Sequence, residues 1–203
     1  RFWQHVERTL ESGADRLDEP IPPVDHPITG TDEQTEVARR LADMFVDDEP
    51  RHAALLADRG RGKSSALGLA LAEARDRADL RVVVTARHPD ATREIFAFAV
   101  GSEAIPEDGD LRFIELADLL RTGEPVDAIV VDEAAQLPVP VLRRLVRKYP
   151  RITIVFATTT HGYEGTGRGF TLRFLDWLSD RPTPVEEMRL EEPIRWLSDD
   201  PLE

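Results

Sequence analysis

The sequence predicts an α/β fold in which a mostly parallel sheet carries helices on both faces. Two observations predict it. Short apolar runs alternate with longer amphipathic segments, and little hairpin-turn chemistry separates them. The residues suited to phosphate and metal chemistry also follow directly after apolar runs, where an open parallel sheet gathers its ligands.

Taken in order, residues 2–17 space Phe2, Val6, Leu10 and Leu17 as one face of a helix. Four prolines within residues 19–27 then read as extended chain. Residues 1–18 are accordingly expected to end a preceding domain or form a helical appendage, 19–28 to be a linker, and 29–203 to form the lobe. Within the lobe, helices are expected over 31–46, 64–77, 90–100, 117–121, 139–148 and 166–178. Strands are expected over 53–57, 81–85, 111–114, 128–131, 152–157 and 185–190. The chain opens on Arg1 rather than Met and closes on Glu203 without a stop signal, so a longer parent is expected.

Composition narrows the function. Cysteine is absent and the five histidines lie far apart, so disulfides, thiolate sites and a zinc site are not expected. No apolar stretch reaches the roughly 18–20 residues that span a bilayer, and no leader pattern opens the chain, so a cytoplasmic protein is expected. Acidic residues number 39 against 26 basic, a net charge of −13, and only Lys63 and Lys148 are lysines. One reading is that no basic face for nucleic acid exists. The preferred reading is a halophilic source, because a Debye length of roughly 3 Å in molar salt leaves the acidic surface little power to repel RNA.

The strongest signal is Ala57-Asp58-Arg59-Gly60-Arg61-Gly62-Lys63-Ser64, set between a strand and a helix. Glycines let backbone amides turn toward a phosphate, a lysine reaches the β and γ phosphates, and a hydroxyl ligates magnesium. Gly60, Gly62, Lys63 and Ser64 supply these parts, whereas Ala57 stands where the usual pattern has its first glycine. The second signal is the apolar run 128–131 ending in Asp132 and Glu133, about 70 residues further on. Asp132 suits magnesium, directly or through water, and Glu133 suits the polarising of an attacking water. Lys63 and Glu133 are thus the candidate catalytic pair, and Ser64 and Asp132 the candidate magnesium ligands.

Three weaker signals remain. Thr31-Asp32-Glu33-Gln34 is a capping box, which explains Gln34 structurally; helicase-type ATPases also use a glutamine about here to read adenine, and both readings stay open. Thr158-Thr159-Thr160 begins a Gly-rich segment after a strand, where hydroxyls can sense a γ phosphate or simply cap a turn. Arg195, beyond the last strand, is either an exposed arginine or a guanidinium for transferring charge.

The phosphate loop, Val131-Asp132-Glu133-Ala134-Ala135, the run His161-Gly162-Tyr163-Glu164-Gly165-Thr166-Gly167-Arg168-Gly169 and Pro193-Ile194-Arg195-Trp196 together resemble the tRNA(Met) cytidine acetyltransferases. The resemblance covers residues 30–203, and the Gly-Tyr-Glu-Gly-Thr-Gly-Arg run is its most distinctive part. It implies a RecA-like P-loop NTPase lobe that binds ATP and Mg2+, with Gln34 near adenine, Gly60, Arg61, Gly62, Lys63, Ser64 and Ser65 around the phosphates, and Arg168 and Arg195 completing the ATP site. It further implies a second RecA-like domain, a GNAT-type domain holding acetyl-CoA, and tRNA or other RNA as substrate, all outside this chain. The residues alone also suit the motor lobe of a RecD-like superfamily 1 DNA helicase, or a non-hydrolysing nucleotide sensor. Lys63→Ala is expected to abolish ATP binding without unfolding, on the view that Lys63 sits in an exposed loop.

Overall fold

The computed structural model describes residues 31–102, 104–159 and 170–192. The expected helix over 2–17, the linker, most of the Gly-rich run, Arg168 and Arg195 lie outside them. Six strands form one sheet: β1 His52–Ala57, β2 Val82–Thr85, β3 Leu111–Phe113, β4 Ala128–Val131, β5 Thr153–Thr159 and β6 Val185–Leu190. Their order is β3-β2-β4-β5-β1-β6, and every pairing is parallel. Helix α1 Asp32–Val46 precedes β1, and α2 Lys63–Arg77, α3 Arg93–Val100, α4 Leu116–Thr122, α5 Val139–Lys148 and α6 Asp176–Ser179 lie in the crossovers; together they flank the sheet.

The central strands are apolar on both faces because both faces are covered. Ala53, Leu55, Val84, Val130 and Val155 point into a core shared with α1, α2 and α3. Their neighbours Ala54, Leu56, Val83, Ile129 and Phe156 point into a second core with α4, α5 and the segment 170–178. A slip of one residue in any central strand would exchange the two sets, so the side-chain volumes of both cores fix the register. At the α2–α3 crossing, Gly68 permits close approach: a Cβ there would stand 2.5 Å from Phe98 Cβ and 2.6 Å from the Ile95 carbonyl oxygen.

Three elements depart from expectation. The segment expected as one helix over 90–100 is a 3-10 turn, Pro89–Thr92, followed by α3, with the Thr92 hydroxyl donating to the Pro89 carbonyl at 2.7 Å. The expected helix over 166–178 is a π-helical run, Phe170–Leu175, leading into α6. The wider turn accompanies an aromatic cluster in which Phe174 meets Phe156 at 4.8 Å and Phe170 at 5.3 Å between centroids. Finally, β5 runs on to Thr159, so Thr158 and Thr159 are strand residues paired with Leu56 and Ala57 rather than the start of a loop.

Candidate functional site at the carboxyl edge of the sheet

β1 ends at Ala57, buried and paired with Thr159 on one side and Leu190 on the other. Its φ is not positive, so a glycine is not required at this first position of the loop. The positions that do need glycine are Gly60 (φ 79°) and Gly62 (φ 75°). Gly62 is the residue before α2, and no side chain caps that helix, so the first-turn amides face the loop with the positive end of the helix dipole behind them. The loop, Lys63, Ser64, Glu94, Glu133 and Thr159 enclose a cavity of about 290 Å³. A neighbouring hollow of about 390 Å³ is lined by Leu56, Ala57, Arg61 and Leu190 among others.

Lys63 opens α2 and is buried, which corrects the expectation of an exposed loop position. Its Nζ donates to Asp132 Oδ1 and lies 3.0 Å from Glu133 Oε1. Burial by itself lowers the lysine pKa, but the carboxylates of Asp132 and Glu133 outweigh it and hold the ammonium above its ordinary range. Burial pushes the Asp132 carboxyl up, and Lys63 draws it only partly back. Asp132 extends the β4 ladder, its amide donating to the Thr85 carbonyl at 2.8 Å. Glu133 then turns out of the strand at φ 48° and ψ 44°, a left-handed conformation that no other described non-glycine residue shares. The Thr159 hydroxyl donates to Glu133 Oε1 at 3.0 Å, and the Ala135 amide donates to the Thr158 hydroxyl at 3.4 Å. The last two residues of β5 therefore fix the turn that carries the acidic pair.

Gln34 makes both halves of the capping box, its Oε1 accepting from the Thr31 amide at 3.0 Å and its backbone amide donating to Thr31 Oγ1 at 3.2 Å. It also reaches across to the phosphate loop. Its Nε2 lies 3.4 Å from the Arg61 carbonyl, 3.2 Å from the Gly62 carbonyl and 3.2 Å from Ser65 Oγ, and the residue is 1% exposed. Ser65 in turn donates to the Gly62 carbonyl at 2.9 Å. Gln34 and Ser65 thus brace the loop from behind, and Gly60, Arg61, Gly62, Lys63 and Ser64 form its front.

Two residues at this edge had no signal in the sequence. Glu94, from the first turn of α3, lines the cavity. The Thr85 hydroxyl is buried beside the base of the acidic pair without a hydrogen-bond partner. Neither belongs to a recognisable spacing, and only the strand order brings them here.

The parallel sheet, the Gly-rich loop feeding α2 and the acid pair ending β4 define a P-loop NTPase lobe of the RecA-like type. Solved structures share this fold: the Pif1 helicase of Candida albicans (TM-score 0.54, 15% identity, covering 80% of this chain and 40% of that one) and the large terminase of a thermophilic bacteriophage (TM-score 0.55, 13% identity, covering 84% and 48%). Sequence is more specific. Residues 54–203 match the family model described as RNA cytidine acetyltransferase NAT10/TcmA, helicase domain, and the chain belongs to that family. Relatives named tRNA(Met) cytidine acetyltransferase TmcA include those of Nitrosococcus halophilus (43% identity, 85% of this chain and 24% of the relative), Vibrio cholerae (42%, 84% and 26%) and Haloferax volcanii (40%, 80% and 23%). The chain spans about a quarter of the length of these relatives. No helix among the described residues is long and apolar enough to cross a membrane.

Proposed function

We propose that this lobe binds and hydrolyses ATP within a cytoplasmic enzyme that acetylates the exocyclic amine of cytidine in tRNA, using acetyl-CoA. The observation that carries the reading is Lys63, whose ammonium sits between Asp132 and Glu133 beside a loop whose two glycines adopt left-handed backbone. A buried lysine paired with two carboxylates is preset to exchange one partner for phosphate oxygens.

In this reading Gly60, Arg61 and Gly62 present backbone amides to the phosphates, and Lys63 neutralises charge between the β and γ groups. Ser64 and Asp132 fit a magnesium ion: a hydroxyl in the first turn of α2 and a carboxyl beside Lys63 offer the oxygen donors it prefers. That ion supplies neutralisation of phosphate charge when bound. Glu133, held by Thr159, orients the attacking water and accepts its proton. Gln34 serves the site through the loop it braces, and reading adenine with the same amide requires exchange of those hydrogen bonds. Arg168 and Arg195 are proposed at the γ phosphate. A second RecA-like domain and a GNAT-type domain complete the parent enzyme, and family membership favours this assignment over a DNA translocase.

The test uses the full-length protein with tRNA and labelled acetyl-CoA, with and without ATP. Label on cytidine that requires ATP supports the reading. ATP turnover stimulated by DNA, with no label on cytidine, contradicts it.

A further inference from the structure

Despite the net charge of −13, residues 139–151 carry five basic side chains and no acidic one. Helix α5 buries Leu142, Leu145 and Val146, which leaves Arg144 and Arg147 exposed and Arg143 half-buried. Beside them stands Trp177 of α6. The guanidinium carbons of Arg143, Arg147 and Arg181 lie 5.1, 5.5 and 4.5 Å from its ring centroid. Elsewhere arginines close onto carboxylates, as Arg39 does with Glu36, Arg77 with Asp43 and Arg81 with Asp127. Among the described residues none of the three around Trp177 does so, although Asp176 and Asp180 are close in sequence. Arg143 donates through one terminal nitrogen to the Arg173 carbonyl at 2.9 Å, and its Nε is buried without a hydrogen-bond partner.

Three like charges around one indole repel one another, and cation–π attraction at a partly exposed ring offsets that repulsion only in part. Such a cluster is stabilised by a polyanion. Arginine is also the residue whose planar fork matches phosphate oxygens two at a time. We propose that this face of α5 and α6 holds the phosphodiester backbone of the RNA substrate. It flanks the sheet on the side of the second core, and α5 closes next to the start of β5, away from the nucleotide loop. The proposal rests on the reading of the parent enzyme as one that acts on tRNA. RNA is favoured over an acidic protein segment because three guanidiniums gathered within 5.5 Å of one ring centroid suit the closely spaced phosphates of a backbone, each of which takes two nitrogens of one planar fork.

The experiment measures binding of a fluorescently labelled tRNA transcript to the full-length protein over a series of salt concentrations. Two variants are compared with the unsubstituted protein: Arg143→Gln/Arg147→Gln/Arg181→Gln, and Arg147→Gln/Arg181→Gln, which keeps the half-buried arginine. The triple variant is expected to weaken binding roughly tenfold or more and to flatten the log–log salt slope by about two to three. The double variant is expected to show a smaller loss in the same direction, and ATP turnover without RNA is unchanged in both. Unaltered affinity and slope in both variants overturn the proposal. So does unaltered affinity together with an enlarged hydrodynamic radius, which assigns the face to a neighbouring domain. Failure of the unsubstituted protein to bind tRNA at all strikes the functional reading itself, and is distinguished because no variant is needed to see it.

Discussion

Lys63, Asp132 and Glu133 form a charge triad in which each member depends on the others. Removing the lysine leaves Asp132 buried without its cation, and a buried unpaired charge typically costs about 3–5 kcal/mol. Lys63→Ala is therefore expected to lose about 3 kcal/mol, roughly 6–12 °C in Tm for a chain of this size. Adding Asp132→Asn should restore most of it, as thermal unfolding of the single and double variants will show. An undiminished Tm in Lys63→Ala contradicts the pairing. The loop and the acid pair were legible in the sequence because each is a local strand–turn pattern. What Gln34 holds was not legible, since its partners lie 27 to 31 residues away. The arginines around Trp177 were hidden for another reason: an overall acidic balance says nothing about where the basic minority gathers.

At the scale of elements, the α2–α3 crossing depends on Gly68 having no side chain. A methyl group would meet backbone at Ile95, which cannot rotate away, so Gly68→Ala must separate the two helices. The expected loss is about 1–3 kcal/mol, read as a lower denaturant midpoint, and the larger Gly68→Val should lose more. A second prediction concerns the start of β1. His52 is buried with its ring edge-on to Phe156, and burial pushes its imidazole down to about 4. The folded form thus stays neutral while the unfolded chain takes a proton near pH 6.5. Stability is whole above that pH and falls as pH drops toward 4, by on the order of 3 kcal/mol in total. The slope between pH 6.5 and 4 should shrink in His52→Leu; an identical slope contradicts the assignment. Most strands and helices were legible because the sheet is covered on both faces and its strands are continuous apolar runs. The run Phe170–Leu175 reads as ordinary helix in the sequence because a single widened turn has no residue pattern of its own that sets it apart from an α turn.

The described residues form a sheet between two helical layers, and the chain carries far more acid than base. At low ionic strength this surface repels itself, and a Debye length falling from roughly 30 Å in 0.01 M salt to roughly 3 Å in 1 M removes most of that repulsion. The Tm is accordingly expected to rise with potassium chloride over that range, and a Tm that falls or stays flat contradicts a destabilising surface charge. The central claim, however, is that the cavity between the loop and the acid pair is a site of ATP hydrolysis. The most direct measurement is ATP binding by calorimetry alongside phosphate release, made on the full-length protein and on Lys63→Ala and Glu133→Gln. The account predicts that Lys63→Ala loses binding, while Glu133→Gln binds ATP normally and releases phosphate at least about a hundredfold more slowly. ATP bound equally well by Lys63→Ala, or hydrolysed at the normal rate by Glu133→Gln, would contradict it.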